Sequence, residues 1–186
     1  MKEIKNKITF LETMFKGYLI RRVEYPELID EIGRLRVDVW KNEKGMNQEL
    51  MAKGIWIDAS DEIAIHWVVF KDRTLVGSAR LTIHENLSDI PYSLLLNKYS
   101  FDQYNLPVSS MNRLAIHADH SGQGIAKKLD ELRINTSREL GAQLIIGEPV
   151  SWRIDCLEKL GFETIGPLGY PEEAPGLMLT LMIKKL

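Results

Sequence analysis

Cysteine occurs once in this 186-residue chain, at Cys156, so no intramolecular disulfide can staple the fold. Long hydrophobic runs are missing too. The greasiest segment, LMLTLMI from Leu177 to Ile183, is far shorter than the roughly 20 residues that span a bilayer, and no membrane partner is expected. Charge of one sign is also lacking, because 24 Lys and Arg stand against 26 Asp and Glu for a formal net charge of -2. That balance offers no field for a polyanion, and nucleic acid is not an expected partner. The opening MKEIKNKITFLETMF breaks its apolar run with Glu12 before it could serve as a signal core, which points to the cytoplasm. What the chain does have is 45% hydrophobic and 27% charged residues, the balance of one domain with one sizeable core.

Periodicity divides the chain into helices and strands. Ile4, Ile8, Leu11 and Phe15 fall three and four apart before Gly17, so residues 3–16 read as an amphipathic helix, and residues 1–17 as an arm ahead of a domain over 18–186. GYLIRRVEY reads as a strand, and Pro26 opens a helix whose Leu28, Ile32, Leu35 and Val39 stripe runs to Trp40. EIAIHWVVF and TLVGSARLTIH, joined by KDR, form an antiparallel hairpin. Residues 85–107 are too mixed and too long for an ordinary connection, which suggests function. SMNRLAIH is a strand, residues from Ile125 to Leu140 a helix, QLIIG a strand, SWRIDCLEKL a helix and LMLTLMI a last strand. A strand, a crossover helix and a second strand over 110–147 require a parallel pair. The fold class is therefore α+β, with a mixed, mainly antiparallel sheet.

The segment HADHSGQGIAKKL raises the possibility of an anion site, since unpaired amides and the dipole at a helix start favour negative charge. Gly122 and Gly124 would let phosphate oxygens reach the backbone. A Walker A loop needs a lysine followed by Ser or Thr after its second glycine, and GQGIAKK has neither the spacing nor the hydroxyl. The dinucleotide fingerprint matches Gly122, Gly124 and, at the end of the next strand, Glu148, but its third glycine would fall on Lys127. The antiparallel hairpins before the loop also oppose a doubly wound sheet.

SGQGIAKKL after a strand, followed by helix, strand, helix and LGF, resembles the GNAT superfamily of N-acetyltransferases over residues 18–186. That family's loop reads Arg or Gln, two residues, Gly, one residue, Gly or Ala; Ser121, Gly124 and Ala126 hold those places, and Ser121 departs from the pattern. The resemblance implies a GNAT-like sheet with a central splayed parallel pair flanked by helices, and acetyl-CoA or another acyl-CoA as co-substrate. It implies that Ser121, Gly122, Gln123, Gly124, Ile125, Ala126 and Lys127 hold the pyrophosphate while Leu114, Ala115 and Ile116 bond the pantetheine. SSMNRLAIH after the insertion and LRVDVWKNEKG are also similar to the acyl-homoserine-lactone synthase branch and to acyltransferases acting on amino acids, in which a longer acyl donor is used. That branch carries Glu where Ser110 stands, three residues before the matching Arg113. The comparison suggests that residues 85–107 and the first helix wall an acceptor or acyl pocket.

The reaction implied is acyl transfer to the amine of a small molecule by direct attack on the thioester, and a neutral amine requires something to take its proton. Glu148, at the end of one parallel strand, is the first candidate base, and His117, at the end of the other, is the second. Arg113 could pair with an acceptor carboxylate or anchor the insertion, and Arg80 and Glu85 are further acceptor contacts to test. The family often places a tyrosine acid where Leu157 stands. Cys156, spaced with Trp152 and Leu160, is expected on the buried side of its helix rather than as a nucleophile. No metal is expected, a homodimer is left open, and a noncatalytic acyl-CoA-binding regulatory domain is the competing class.

Overall fold

The computed structural model describes residues 12–101 and 103–186. Its centre is an eight-stranded sheet in the order β1-β2-β3-β4-β5-β6-β8-β7. The strands are β1 (Glu12–Phe15), β2 (Tyr18–Glu24), β3 (Ile65–Lys71), β4 (Thr74–His84), β5 (Val108–Ile116), β6 (Leu144–Gly147), β7 (Glu163–Gly169) and β8 (Leu179–Lys185). Every pair is antiparallel except β5 with β6. The helices are α1 (Ile29–Trp40), α2 (Gln48–Ala52), α3 (Ser93–Leu96), α4 (Ile125–Glu139) and α5 (Ile154–Glu158).

The β3–β4 hairpin forms where expected, because Asp72 and Arg73 both take positive φ, the turn geometry that matches strand twist. Alternation along β3 then sorts the two faces. Trp67 and Val69 pack with Ile125 and Leu129 of α4, while Val68 packs with Ile32 of α1. The two long helices therefore cover opposite faces of the sheet. Crossover α4 makes the parallel pair possible, and the pair is short: Val108 to Met111 of β5 align with Leu144 to Gly147 of β6. Beyond Gly147 the first strand continues to Ile116 with no partner on that side, and a cleft opens between the two.

One expectation is corrected, and further elements appear. Glu12–Phe15 is a strand, not the end of a helix, because it pairs antiparallel with β2; the rest of the expected 3–16 arm lies outside the described residues. The residues between Trp40 and β3 supply two further elements. Asn47 caps α2, and Asp58 and Asp61 form a reciprocal capping box on a short 3-10 turn. Residues 163–169 form the edge strand β7, where Pro167 is tolerated because only β8 pairs with it.

Candidate active site

The cleft beyond the parallel pair leads into a cavity of about 320 Å³. Arg113 and Leu114 come from β5, Glu148 from the end of β6, Trp40 from the end of α1, Tyr92 from the long insertion, and Glu173 from the loop before β8. The Glu173 loop is tied down by its backbone. The Asn47 amide donates to the Glu173 carbonyl at 2.9 Å, and the Gly176 amide donates to the Gly45 carbonyl at 2.9 Å. A Cβ on Gly176 would come within 2.4 Å of Gly45 Cα, so only glycine permits that approach.

Glu148 is buried, 8% exposed, at the mouth of the splay. Ser110 Oγ donates to its Oε1 at 3.1 Å, Asn112 Nδ2 donates to Ser110 Oγ at 3.1 Å, and Arg80 Nε donates to Asn112 Oδ1 at 2.7 Å. Its second oxygen, Oε2, is buried with no hydrogen-bond partner. Burial pushes the carboxyl up to about 8, against the Ser110 bond and the positive charges of Arg80 and Arg113, which pull the other way. A carboxyl with one oxygen anchored, the other free and a proton affinity near neutrality is equipped to accept a proton.

Arg113 has all three guanidinium nitrogens engaged. Its Nε and Nη2 donate to Asp58 Oδ2 at 3.1 and 2.7 Å, and its Nη1 donates to Glu173 Oε1 at 2.6 Å and to Tyr92 Oη at 2.9 Å. The guanidinium lies 4.3 Å from the centre of the Trp56 ring. Burial works the other way, yet the charges of Arg80 and Arg113 hold Asp58 below its ordinary value, and Arg113 with Tyr92 does the same for Glu173. Beneath this layer, Arg36 and Asp61 form a buried bidentate pair at 2.9 Å, and Arg80 bridges Asp58 and Asp61 at 2.6 and 3.1 Å.

A second lobe lies between Ile116, the start of α4 and α5, lined by Ser121, Gly122, Gly124, Ile125, Ala126 and Lys127. Gly122 and Gly124 have φ of +75° and +83°, and a Cβ on Gly122 would point into open space. The first amides of a 15-residue helix face an uncrowded, left-handed turn, which fits a pyrophosphate. Gln123 lends its carbonyl to Lys16 Nζ at 3.2 Å, tying the β1–β2 turn to this loop.

Of the residues singled out from sequence, Arg113, Leu114, Ile116, Ser121, Ala126 and Glu148 come together around the main cavity. The others are placed differently. Ala115 is buried opposite Ser78 of β4, and the Leu114 carbonyl already accepts from the Trp40 indole at 3.3 Å. Arg80 is a buried girder rather than an acceptor contact, because its guanidinium is taken up by Asp58, Asp61 and Asn112. Glu85 is exposed just past the end of β4 and lines neither lobe. His117 is exposed, with Nδ1 accepting from the Asp119 amide, and also lines neither lobe. Cys156 and Trp152 are exposed, and Leu157 is the buried residue of α5 because the helix is only one turn long and is rotated from the expected face. Leu157 lines the cavity where the family's tyrosine would stand. Ser110, Asn112, Asp58, Tyr92 and Glu173 were not anticipated as partners. Only the Asp58-x-x-Asp61 spacing carried a signal, and it spoke of a helix start.

Among the described residues, no group of His, Cys, Asp and Glu could hold a metal, and no helix is long and apolar enough to cross a membrane. A splayed parallel pair with a glycine-lined helix entry at one end and an acid at the other is the architecture of transferases that take an acyl group from a coenzyme A thioester. Residues 35–130 match the model of the acetyltransferase (GNAT) domain, more than half of the chain, and the protein belongs to that family of acyltransferases. No curated protein matches the sequence. Solved structures share the fold at low identity. The acyl-homoserine-lactone synthase LasI is 15% identical with a TM-score of 0.65, covering 89% of both chains. An N-acetyltransferase from Lactobacillus plantarum is 17% identical with a TM-score of 0.64, covering 92% of this chain and 99% of its own. The polyamine N-acetyltransferase of Drosophila melanogaster is 13% identical with a TM-score of 0.66, covering 91% of this chain and 100% of its own.

Proposed function

We propose that this protein transfers an acyl group from acyl-CoA to the primary amine of a small molecule, with Glu148 as the general base. The observation that carries the reading is the buried, unpartnered Oε2 of Glu148 at the end of the splay, one strand across from the glycine loop. Bound acyl-CoA supplies the thioester carbon that the amine attacks and the thiolate that departs. The α4 amides and Gly122 and Gly124 hold the pyrophosphate, and the edges of Leu114 and Ile116 flank the pantetheine arm. Glu148 Oε2 accepts the proton that the amine nitrogen gives up as the N–C bond forms and the C–S bond breaks. The departing sulfur, with an ordinary thiol pKa near 8.5, leaves as a thiolate and takes a proton from water, so Leu157 in place of a tyrosine does not disable the reaction. The polyamine N-acetyltransferase supports a small-molecule amine acceptor, and the CoA-dependent acyl-homoserine-lactone synthase BjaI, a fold neighbour solved with isopentyl-CoA, supports an acyl-CoA donor.

Glu148→Gln tests this reading. It should lower kcat by about a hundredfold with little change in KM for acyl-CoA, since the base acts in the transition state. The parent's kcat/KM should rise with pH through the Glu148 ionisation near 8, and the variant should lose that limb. A rate within a few-fold of the parent would make Glu148 structural. Saturable acyl-CoA binding with no thiol release across a broad amine panel would favour a noncatalytic binding domain.

A further inference from the structure

A carboxylate entering the cavity beside Tyr92 and Trp56 would find the cation there already taken. Arg113 spends all three of its nitrogens on Asp58, Glu173 and Tyr92 and lays its face on Trp56. Arg133 donates to Asp130 at 2.5 Å and to the carbonyls of Arg80 and Asn112, both at 3.1 Å, and Arg153, which also lines the second lobe, closes on the other oxygen of Asp130 through Nη2. These three arginines are the only cationic side chains that line the main cavity among the described residues. The acids are less fully spent. Glu148 keeps an orphaned oxygen, and Glu173 lines the same cavity. The rest of the wall near them is apolar, with Trp40, Met46, Trp56 and Leu177.

Resting on the acyl-transfer reading above, we propose that the acceptor is a primary amine with an apolar body and no carboxylate: the site excludes amino acids by presenting an Arg113 already sealed by Asp58 and Glu173 where an α-carboxylate would lie. The discrimination lies in the cost of displacement. A carboxylate would be stripped of water beside Glu173, and to gain Arg113 it would have to displace two carboxylates already in place. An amine pays no such penalty, because its nitrogen meets the free oxygen of Glu148 and its body meets the tryptophans and Leu177.

Phenethylamine and phenylalanine share a skeleton and differ by the carboxylate, which makes them matched probes. With acetyl-CoA and octanoyl-CoA as donors, thiol release should show kcat/KM for phenethylamine at least a hundredfold above that for phenylalanine. A ratio near one, or one favouring the amino acid, overturns the proposal. Calorimetry decides the same question without turnover. In the presence of coenzyme A, phenethylamine should bind at least tenfold tighter than phenylalanine, and equal affinities, a reversed order or no binding of the amine would sink it. Glu173→Gln, which frees one side of Arg113, should bring the ratio down at least tenfold by improving phenylalanine. A loss shared equally by both probes would show a merely structural glutamate and count against the assignment. The two readings fail separately: absence of thiol release with every amine and donor removes acyl transfer, while the calorimetric order still judges the exclusion of carboxylates.

Discussion

Glu148 illustrates how a residue can be costly to the fold and useful to the site. Its carboxyl has a proton affinity raised from 4.5 to about 8, so the folded state binds that proton more tightly than the unfolded chain does. Stability from this group is therefore present below pH 4.5 and is lost as the pH rises toward 8 and beyond. At about 1.4 kcal/mol per pKa unit the loss amounts to a few kcal/mol. Glu148→Gln, which does not titrate, should therefore be more stable than the parent at pH 9, and the advantage should shrink steadily toward pH 5. Denaturant melts across that range check it, and a pH-independent difference would mean that Glu148 is not desolvated in the native state. The position of this glutamate was legible because strand, loop and helix signals placed it at the end of β6. Its free oxygen was not, since that depends on Ser110 and Asn112 of a neighbouring strand filling one side and leaving the other empty.

At the scale of elements, the turn into α4 is the piece most dependent on backbone. With φ of +83°, Gly124 occupies a conformation that a β-branched residue resists, and its neighbours Phe15 and Lys16 leave only ordinary contact distance for a Cβ, at 3.7 and 3.8 Å. Gly124→Val should distort the turn and weaken acyl-CoA binding at least tenfold, about 1.4 kcal/mol, measured by calorimetry on the folded variant. Unchanged affinity would take the loop out of the binding site. The strong elements were readable because their periods are unambiguous: the β3–β4 hairpin, the crossover helix and the strands on either side all form. The weak ones were not. Glu12–Phe15 carries a spacing that suits a helix, but pairing with β2 overrides four residues of local pattern. The β7 strand hides behind Gly166 and Pro167, which read as loop until an edge position makes them acceptable.

Across the whole molecule, the wall of the cavity is assembled from segments far apart in sequence. The Arg36–Asp61 pair joins α1 to the 3-10 turn, Arg80 joins that turn to β4, and Arg113 joins it to β5 and to the loops of Tyr92 and Glu173. Such an ionic lattice is a poor source of net stability but a strict one of geometry, because breaking any buried partner leaves a charge unpaired. No single-sequence period announces it, which is why Arg80 and Arg113 could be named from sequence while Arg36 and the acids between them could not. The rim of the same cavity carries a further consequence. Trp40 at the end of α1 and Trp152 beyond β6 face each other with ring centres 6.3 Å apart and planes tilted by 30°. Two indoles at that separation couple their electronic transitions, so the protein carries a built-in optical gauge across the entrance. Circular dichroism near 230 nm should show a paired positive and negative band that Trp40→Phe or Trp152→Phe abolishes, each alone. A ligand that packs against either ring should change the amplitude of that couplet in step with saturation, making binding visible with no dye, no label and no turnover.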